Sequence, residues 1–129
     1  MALKEIKHPL KEGKDTSNDP YSGAVGVDGW LYVSGQGPLV EGKITGTTVE
    51  EQTKVVMNNV KTMLEAGGCS LVDVVKCTCY IADIKDFDEF SNTYKAHFSG
   101  VKPARTTLEA KLWGGILVEV DAVARIPGK

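Results

Sequence analysis

Positions 116–125 alternate for ten residues, with Ile116, Val118, Val120, Ala122 and Ala124 on one side and Leu117, Glu119, Asp121, Val123 and Arg125 on the other. A period of two belongs to an extended chain, so this segment is a strand with one face in a core. Such a strand needs a covering layer and backbone partners. Positions 105–112 alternate in the same way, and the intervening Trp113-Gly114-Gly115 reads as a tight hairpin. Positions 72–81 form a further strand, with Val75, Cys77, Cys79 and Ile81 on one face and Val74, Lys76, Thr78 and Tyr80 on the other. Strands at 24–27 and 30–34 flank Asp28-Gly29, a hairpin signal because both central residues of a type I′ turn need positive φ. Gly35-Gln36-Gly37-Pro38 ends the second strand and Glu41-Gly42-Lys43 is another turn, leaving room for an extra strand at 43–46 or near the start.

Two helices supply the cover. Thr48-Val49-Glu50-Glu51 is a capping box, opening a helix whose inward stripe is Val56, Val60, Met63 and Leu64 and whose stop is Gly67-Gly68. Asp86 with Glu89 repeats the cap signature before an aromatic stripe of Phe87, Phe90, Tyr94 and Phe98, ending near Gly100. The order β-β-α-β-α-β-β predicts an α+β fold: one mixed sheet with two helices on one face, in a single domain over 1–129.

Composition narrows the function. The 129 residues carry 15 Lys+Arg against 17 Asp+Glu, a net charge of −2, which disfavours nucleic acid as a partner because counterion release needs a basic surface. No stretch approaches the roughly 20 apolar residues that cross a bilayer, and the charged start lacks a signal-peptide core, so the expectation is a cytoplasmic protein with no membrane partner. Three cysteines cannot all pair within one chain, which favours reduced thiols.

There is no Walker loop, G-x-S-x-G elbow or H-E-x-x-H, and Gly35-Gln36-Gly37 lacks the rest of a dinucleotide fingerprint. Cys77 and Cys79 share a strand face, but neither His8 nor His97 has a companion at ligand spacing, so they read as small buried thiols rather than a metal site. His97 falls late in the second helix, where a structural role suffices. Glu119 is different: it lies mid-strand among aliphatic neighbours, where a carboxylate must find a donor, water or solvent. Arg105 opens the preceding strand with Thr107 on the same face. In a hairpin closed at 113–115, Arg105 pairs well beyond Glu119, so the two flank a pocket rather than oppose each other. A surface ion pair for Arg105 and a solvated position for Glu119 are the plain alternatives. The mixed outer face carrying Leu117, Glu119 and Val123 suits symmetric self-association and a pocket shared between subunits.

Asp19-Pro20-Tyr21-Ser22, Val33-Ser34-Gly35-Gln36 with Pro38, Asn59-Val60, Asn92-Thr93-Tyr94, Pro103-Ala104-Arg105-Thr106 and Val118-Glu119-Val120-Asp121-Ala122 occur in this order along nearly the whole chain. Together they resemble the RidA (YjgF) family of enamine/imine deaminases. The resemblance implies a chorismate-mutase-like homotrimer with sites between subunits, no metal and no organic cofactor. The partners it implies are small 2-imino or 2-keto acids: 2-aminoacrylate-type enamines, through their imine tautomers, are hydrolysed to 2-keto acids and ammonia. Arg105 would hold the substrate carboxylate and Glu119 would position or activate water, with Tyr21, Ser34, Gly35, Asn92 and Thr107 lining the cleft. Many active members carry Cys where this chain has Thr107. The alternatives are a keto-acid-binding regulatory trimer without turnover and, more remotely, a ribonuclease or translation inhibitor.

Overall fold

The computed structural model describes residues 2–129. The principal elements run β1 (Lys4–Ile6), β2 (Ala24–Val27), β3 (Trp30–Gln36), β4 (Leu39–Val40), β5 (Lys43–Ile44), α1 (Val49–Ala66), β6 (Val74–Ile81), α2 (Phe87–Lys95), β7 (Ala104–Glu109) and β8 (Val118–Arg125). Six strands form one mixed sheet in the order β1-β2-β3-β8-β6-β7, in which β6 and β7 are parallel and the other pairs antiparallel. β4 and β5 form a separate two-stranded ribbon. This is the expected α+β arrangement, with extra strands both near the start and at 43–44.

Local chemistry accounts for most boundaries. Asp28 and Gly29 adopt φ of 54° and 80°, the type I′ signature, and close β2 on β3. The capping box at α1 is formed, Thr48 accepting from the Glu51 amide while the Glu51 carboxylate accepts from the Thr48 amide. Gly68, at φ 86°, supplies the left-handed residue that ends this helix.

The hairpin expected at Trp113-Gly114-Gly115 does not form. β8 runs between β3 and β6, and β7 lies at the sheet edge beside β6. Burial explains the sorting. The inward residues Val118, Val120, Ala122 and Ala124 are at most 1% exposed, so β8 takes the centre; β7 has no fully buried residue and takes the edge. A parallel neighbour for β6 requires a crossover, which α2 supplies. Adjacency in sequence suggested the hairpin, but the demand for cover on both flanks of β8 outweighs it.

Two smaller expectations change. The register between β6 and β8 shifts between Val74 and Lys76, so Val74 is buried and Val75 is exposed, opposite to a strict alternation. Asp86 makes no side-chain cap, because a 3-10 turn at Ile84–Asp86 runs directly into α2; Asp83 caps that turn instead. Glu89 accepts from the Glu50 amide at 3.0 Å, tying together the first turns of the two helices. α2 ends at Lys95, short of Gly100.

The core lies between the sheet and the helices, where Val56, Met57, Val60 and Leu64 of α1 and Phe90 of α2 meet Leu31, Cys77, Cys79, Ile81 and the inner residues of β8. Residues in register share a face. Arg105 pairs with Cys77 and Thr107 with Cys79, so both point towards the helices, whereas Glu119 pairs with Tyr80 and Asp121 with Thr78 on the open face.

Candidate active site

The key irregularity is in β3. Val33 pairs with Ala122 and Gln36 with Val120, so Ser34 and Gly35 together oppose Asp121 in a β-bulge. The bulge brings the β3 backbone under the Glu119 side chain: a Cβ at position 35 would stand 3.0 Å from Glu119 Cδ and closer still to Oε2. Only glycine leaves the Glu119 carboxylate where it stands; any side chain here would displace it. Ser34 fastens the preceding loop, its Oγ donating to the Ser22 carbonyl at 2.6 Å and its amide to the Gly23 carbonyl at 3.0 Å. Asn59 of α1 donates from Nδ2 to the carbonyls of Gly37 at 2.9 Å and Leu39 at 2.8 Å, fixing the chain where it leaves the sheet.

These groups enclose a cleft of about 530 Å³ lined by Tyr21, Ser34, Gly35, Asn59, Trp113 and Glu119 among others. Tyr21 and Trp113 are 69% and 55% exposed, and form its outer rim. Partial burial, and secondly the nearby Asp121 charge, raise the Glu119 carboxyl above the ordinary carboxylate range. Asp121 itself accepts a long hydrogen bond, 3.4 Å, from the Tyr80 hydroxyl.

Arg105 occupies a second location. Its guanidinium carbon lies 5.3, 5.7 and 5.1 Å from the ring centroids of Phe87, Phe90 and Tyr94, and Nη2 donates to Ser91 Oγ at 3.1 Å. The guanidinium is thus held against α2, with donors to spare. Thr107 Oγ1 is buried near the Cys79 thiol without a well-formed hydrogen bond. Burial pushes Cys79 up to about 12 and also raises Cys77, consistent with inert structural thiols. Asn92 sits exposed on α2. Among the described residues no cluster of three or more His, Cys, Asp or Glu is arranged to hold a metal ion, and no helix is long and apolar enough to cross a membrane.

A protein-family model described as Endoribonuclease L-PSP matches residues 14–126. The chain belongs to this family, the YjgF/RidA family. Among its members, a RutC family protein of Saccharolobus solfataricus is 43% identical over 126 residues, 95% of this chain and 98% of that protein. A mouse protein named 2-iminobutanoate/2-iminopropanoate deaminase is 40% identical over 108 residues, 81% of this chain and 80% of the relative. The crystal structure of the YjgF gene product of E. coli superposes with a TM-score of 0.81 at 29% identity, covering 95% of this chain and 98% of that one.

Within one chain of this family member, Tyr21, Ser34, Gly35 and Glu119 meet in the cleft, whereas Arg105, Thr107 and Asn92 do not reach it. Arg105 and Glu119 lie on opposite faces of the sheet, separated by β6. Sequence reading passed over Trp113 as a turn residue and Asn59 as a motif residue; both line the cleft. It also passed over Ser91, whose contact with Arg105 spans β7 and α2 and has no local pattern.

Proposed function

We propose that the protein hydrolyses reactive 2-imino acids, formed from 2-aminoacrylate-type enamines, to 2-keto acids and ammonia. The observation that carries this reading is the Glu119 carboxylate, held over the Gly35 bulge in an open cleft and raised in basicity by its surroundings. In imine hydrolysis, water adds to the electrophilic carbon: a C–O bond forms, the C=N π pair moves to nitrogen, and a proton leaves the water. Glu119 accepts that proton and returns it to the nitrogen. Glu119 next takes the hydroxyl proton of this carbinolamine and delivers it to the nitrogen as the C–N bond breaks, so that the oxygen lone pair closes the C=O of the keto acid and ammonia departs. One carboxylate, shifted by burial and by Asp121 towards holding its proton, serves each step as base and then as acid.

The substrate carboxylate needs a cation, and the matching group is Arg105, whose planar donors suit bidentate binding. Since it faces away from Glu119 in its own chain, the reading requires the β7–α2 edge of a second copy to close the cleft. A homotrimer with three such composite sites fits the family's expected assembly and covers an open sheet face on which Tyr32 is 48% exposed and Leu108 39% exposed. The name of the 40%-identical mouse relative supports the chemistry. Thr107 stands behind Arg105 and needs no thiol chemistry in this scheme.

The test is an assay in which an amino-acid lyase generates 2-aminoacrylate. The protein is expected to accelerate keto-acid and ammonia release over the spontaneous rate, with Arg105→Ala and Glu119→Gln each losing on the order of a hundredfold or more. An unchanged rate in both variants would overturn the reading.

A further inference from the structure

A second cavity of about 290 Å³ lies behind the cleft, between the segment leading into β2 and the outer part of α1. Its walls include Tyr21, Gln36, Leu39 and Asn59, which also line the cleft that holds Glu119, so the two spaces adjoin along this wall. The remainder is of different character. Leu10 adds apolar surface to that of Leu39 in the shared wall, while Met63, 1% exposed, packs its methyl so close to Gly23 that a Cβ there would stand 2.8 Å from Met63 Cε.

Most of the charged groups around this cavity already have partners, and the acidic ones outnumber the basic. Lys7 Nζ donates to the Lys14 carbonyl at 2.8 Å, Lys11 pairs with Asp19 at 2.7 Å, and Glu5 accepts from Thr16 Oγ1 at 3.0 Å. Three carboxylates, Glu5, Asp19 and Glu41, stand against the two ammonium groups of Lys7 and Lys11. Such a lining offers no attraction to a second substrate carboxylate, and it gains from excluding water from Leu10 and Leu39.

A 2-imino acid has three substituents on its reacting carbon. In the proposed reaction the nitrogen must stay near Glu119 and the carboxylate must turn outwards to an arginine from another copy. The third substituent, the side chain, is left with the direction of the shared wall. We propose that this cavity is a side-chain pocket for the substrate, selecting 2-imino acids with a neutral, extended apolar side chain, such as the imine of leucine, over the small imine of alanine and over 2-iminodicarboxylates. The inference rests on the deaminase reading and specifies its substrate class. Each additional buried methylene is worth about fourfold in binding, so the three extra carbons of the leucine side chain give on the order of 10- to 60-fold.

Leu10 is a suitable probe because it lines this cavity and not the Glu119 cleft, and is 58% exposed, so Leu10→Trp fills the space without disturbing the core. Thr16→Trp fills it from another side. Imines would be generated in situ from alanine, leucine and glutamate by amino-acid oxidases or dehydrogenases. The wild type is expected to show kcat/KM at least tenfold higher for the leucine imine than for the alanine imine, and higher than for the glutamate imine. Both variants should lose that advantage while keeping the alanine imine within about twofold. Equal rates for leucine and alanine imines in the wild type, or an equal loss for both in the variants, would overturn the pocket assignment. If the wild type accelerates no imine, the deaminase reading fails, and calorimetric titration with 4-methyl-2-oxopentanoate and pyruvate decides the pocket separately. Preference for the larger keto acid, lost in Leu10→Trp, upholds the pocket, and equal or absent binding overturns it.

Discussion

The carboxylate of Glu119 and the missing side chain of Gly35 form one unit. Gly35 does not adopt a positive φ, so alanine fits the backbone there, and its methyl meets the Glu119 carboxylate instead. Gly35→Ala is therefore expected to displace that carboxylate, lowering kcat on the order of 10- to 100-fold while changing stability by about 1 kcal/mol or less. Steady-state kinetics beside a thermal melt checks the split; a collapse in melting temperature with activity retained contradicts it. The Glu119 carboxyl is raised by burial and then by Asp121. A carboxyl raised in the folded state favours its protonated form, so its stabilising contribution is complete below the unfolded pKa and lost as pH rises through the folded value. Glu119→Gln, which stays neutral, should thus be more stable than the wild type at about pH 7 and equal to it at about pH 3, while losing activity. Denaturant melts at the two pH values measure this, and a variant less stable at neutrality contradicts it.

At the level of elements, patterns carried by neighbouring residues were readable in advance and pairings between distant ones were not. The α1 capping box, the Asp28-Gly29 turn and the alternation of β8 each depend on side chains within a few positions, and each forms as expected. The place of β7 depends on comparing its burial with that of β8 and on the α2 crossover, which no local window contains. The same limit hid the Ser34-Gly35 bulge: glycine near a strand end marked a stop, while its actual partner is Glu119, far along the chain. Asn59 is another case, since its two hydrogen bonds cross from α1 to the exit of β3. Removing them leaves the Gly37 and Leu39 carbonyls short of a donor. Asn59→Ala is expected to cost about 1–3 kcal/mol in urea unfolding, with a raised KM because the cleft wall loosens. An unchanged midpoint would show that these bonds do not hold the wall.

Across the whole molecule, the sheet acts as a partition. It sets Glu119, with Tyr21, Ser34 and Gly35, on the open side, and Arg105, braced by Phe87, Phe90, Tyr94 and Ser91, on the helix side. Sequence reading singled out both charged residues and anticipated a pocket shared between subunits. The shared pocket follows from the mixed outer face carrying Leu117, Glu119 and Val123; the hairpin expected to set Arg105 apart from Glu119 does not form, and the parallel β6–β7 pair is what places Arg105 on the far face. If one site draws Glu119 from one subunit and Arg105 from its neighbour, two inactive variants can complement each other. Arg105→Ala and Glu119→Gln subunits, unfolded together in equal amounts and refolded, would place an intact glutamate beside an intact arginine in about a quarter of sites, one half multiplied by one half. The account predicts that the mixture recovers about a quarter of wild-type imine hydrolysis while each variant refolded alone stays inactive. A mixture no more active than its separate components, with mixed oligomers confirmed by mass spectrometry, would contradict it.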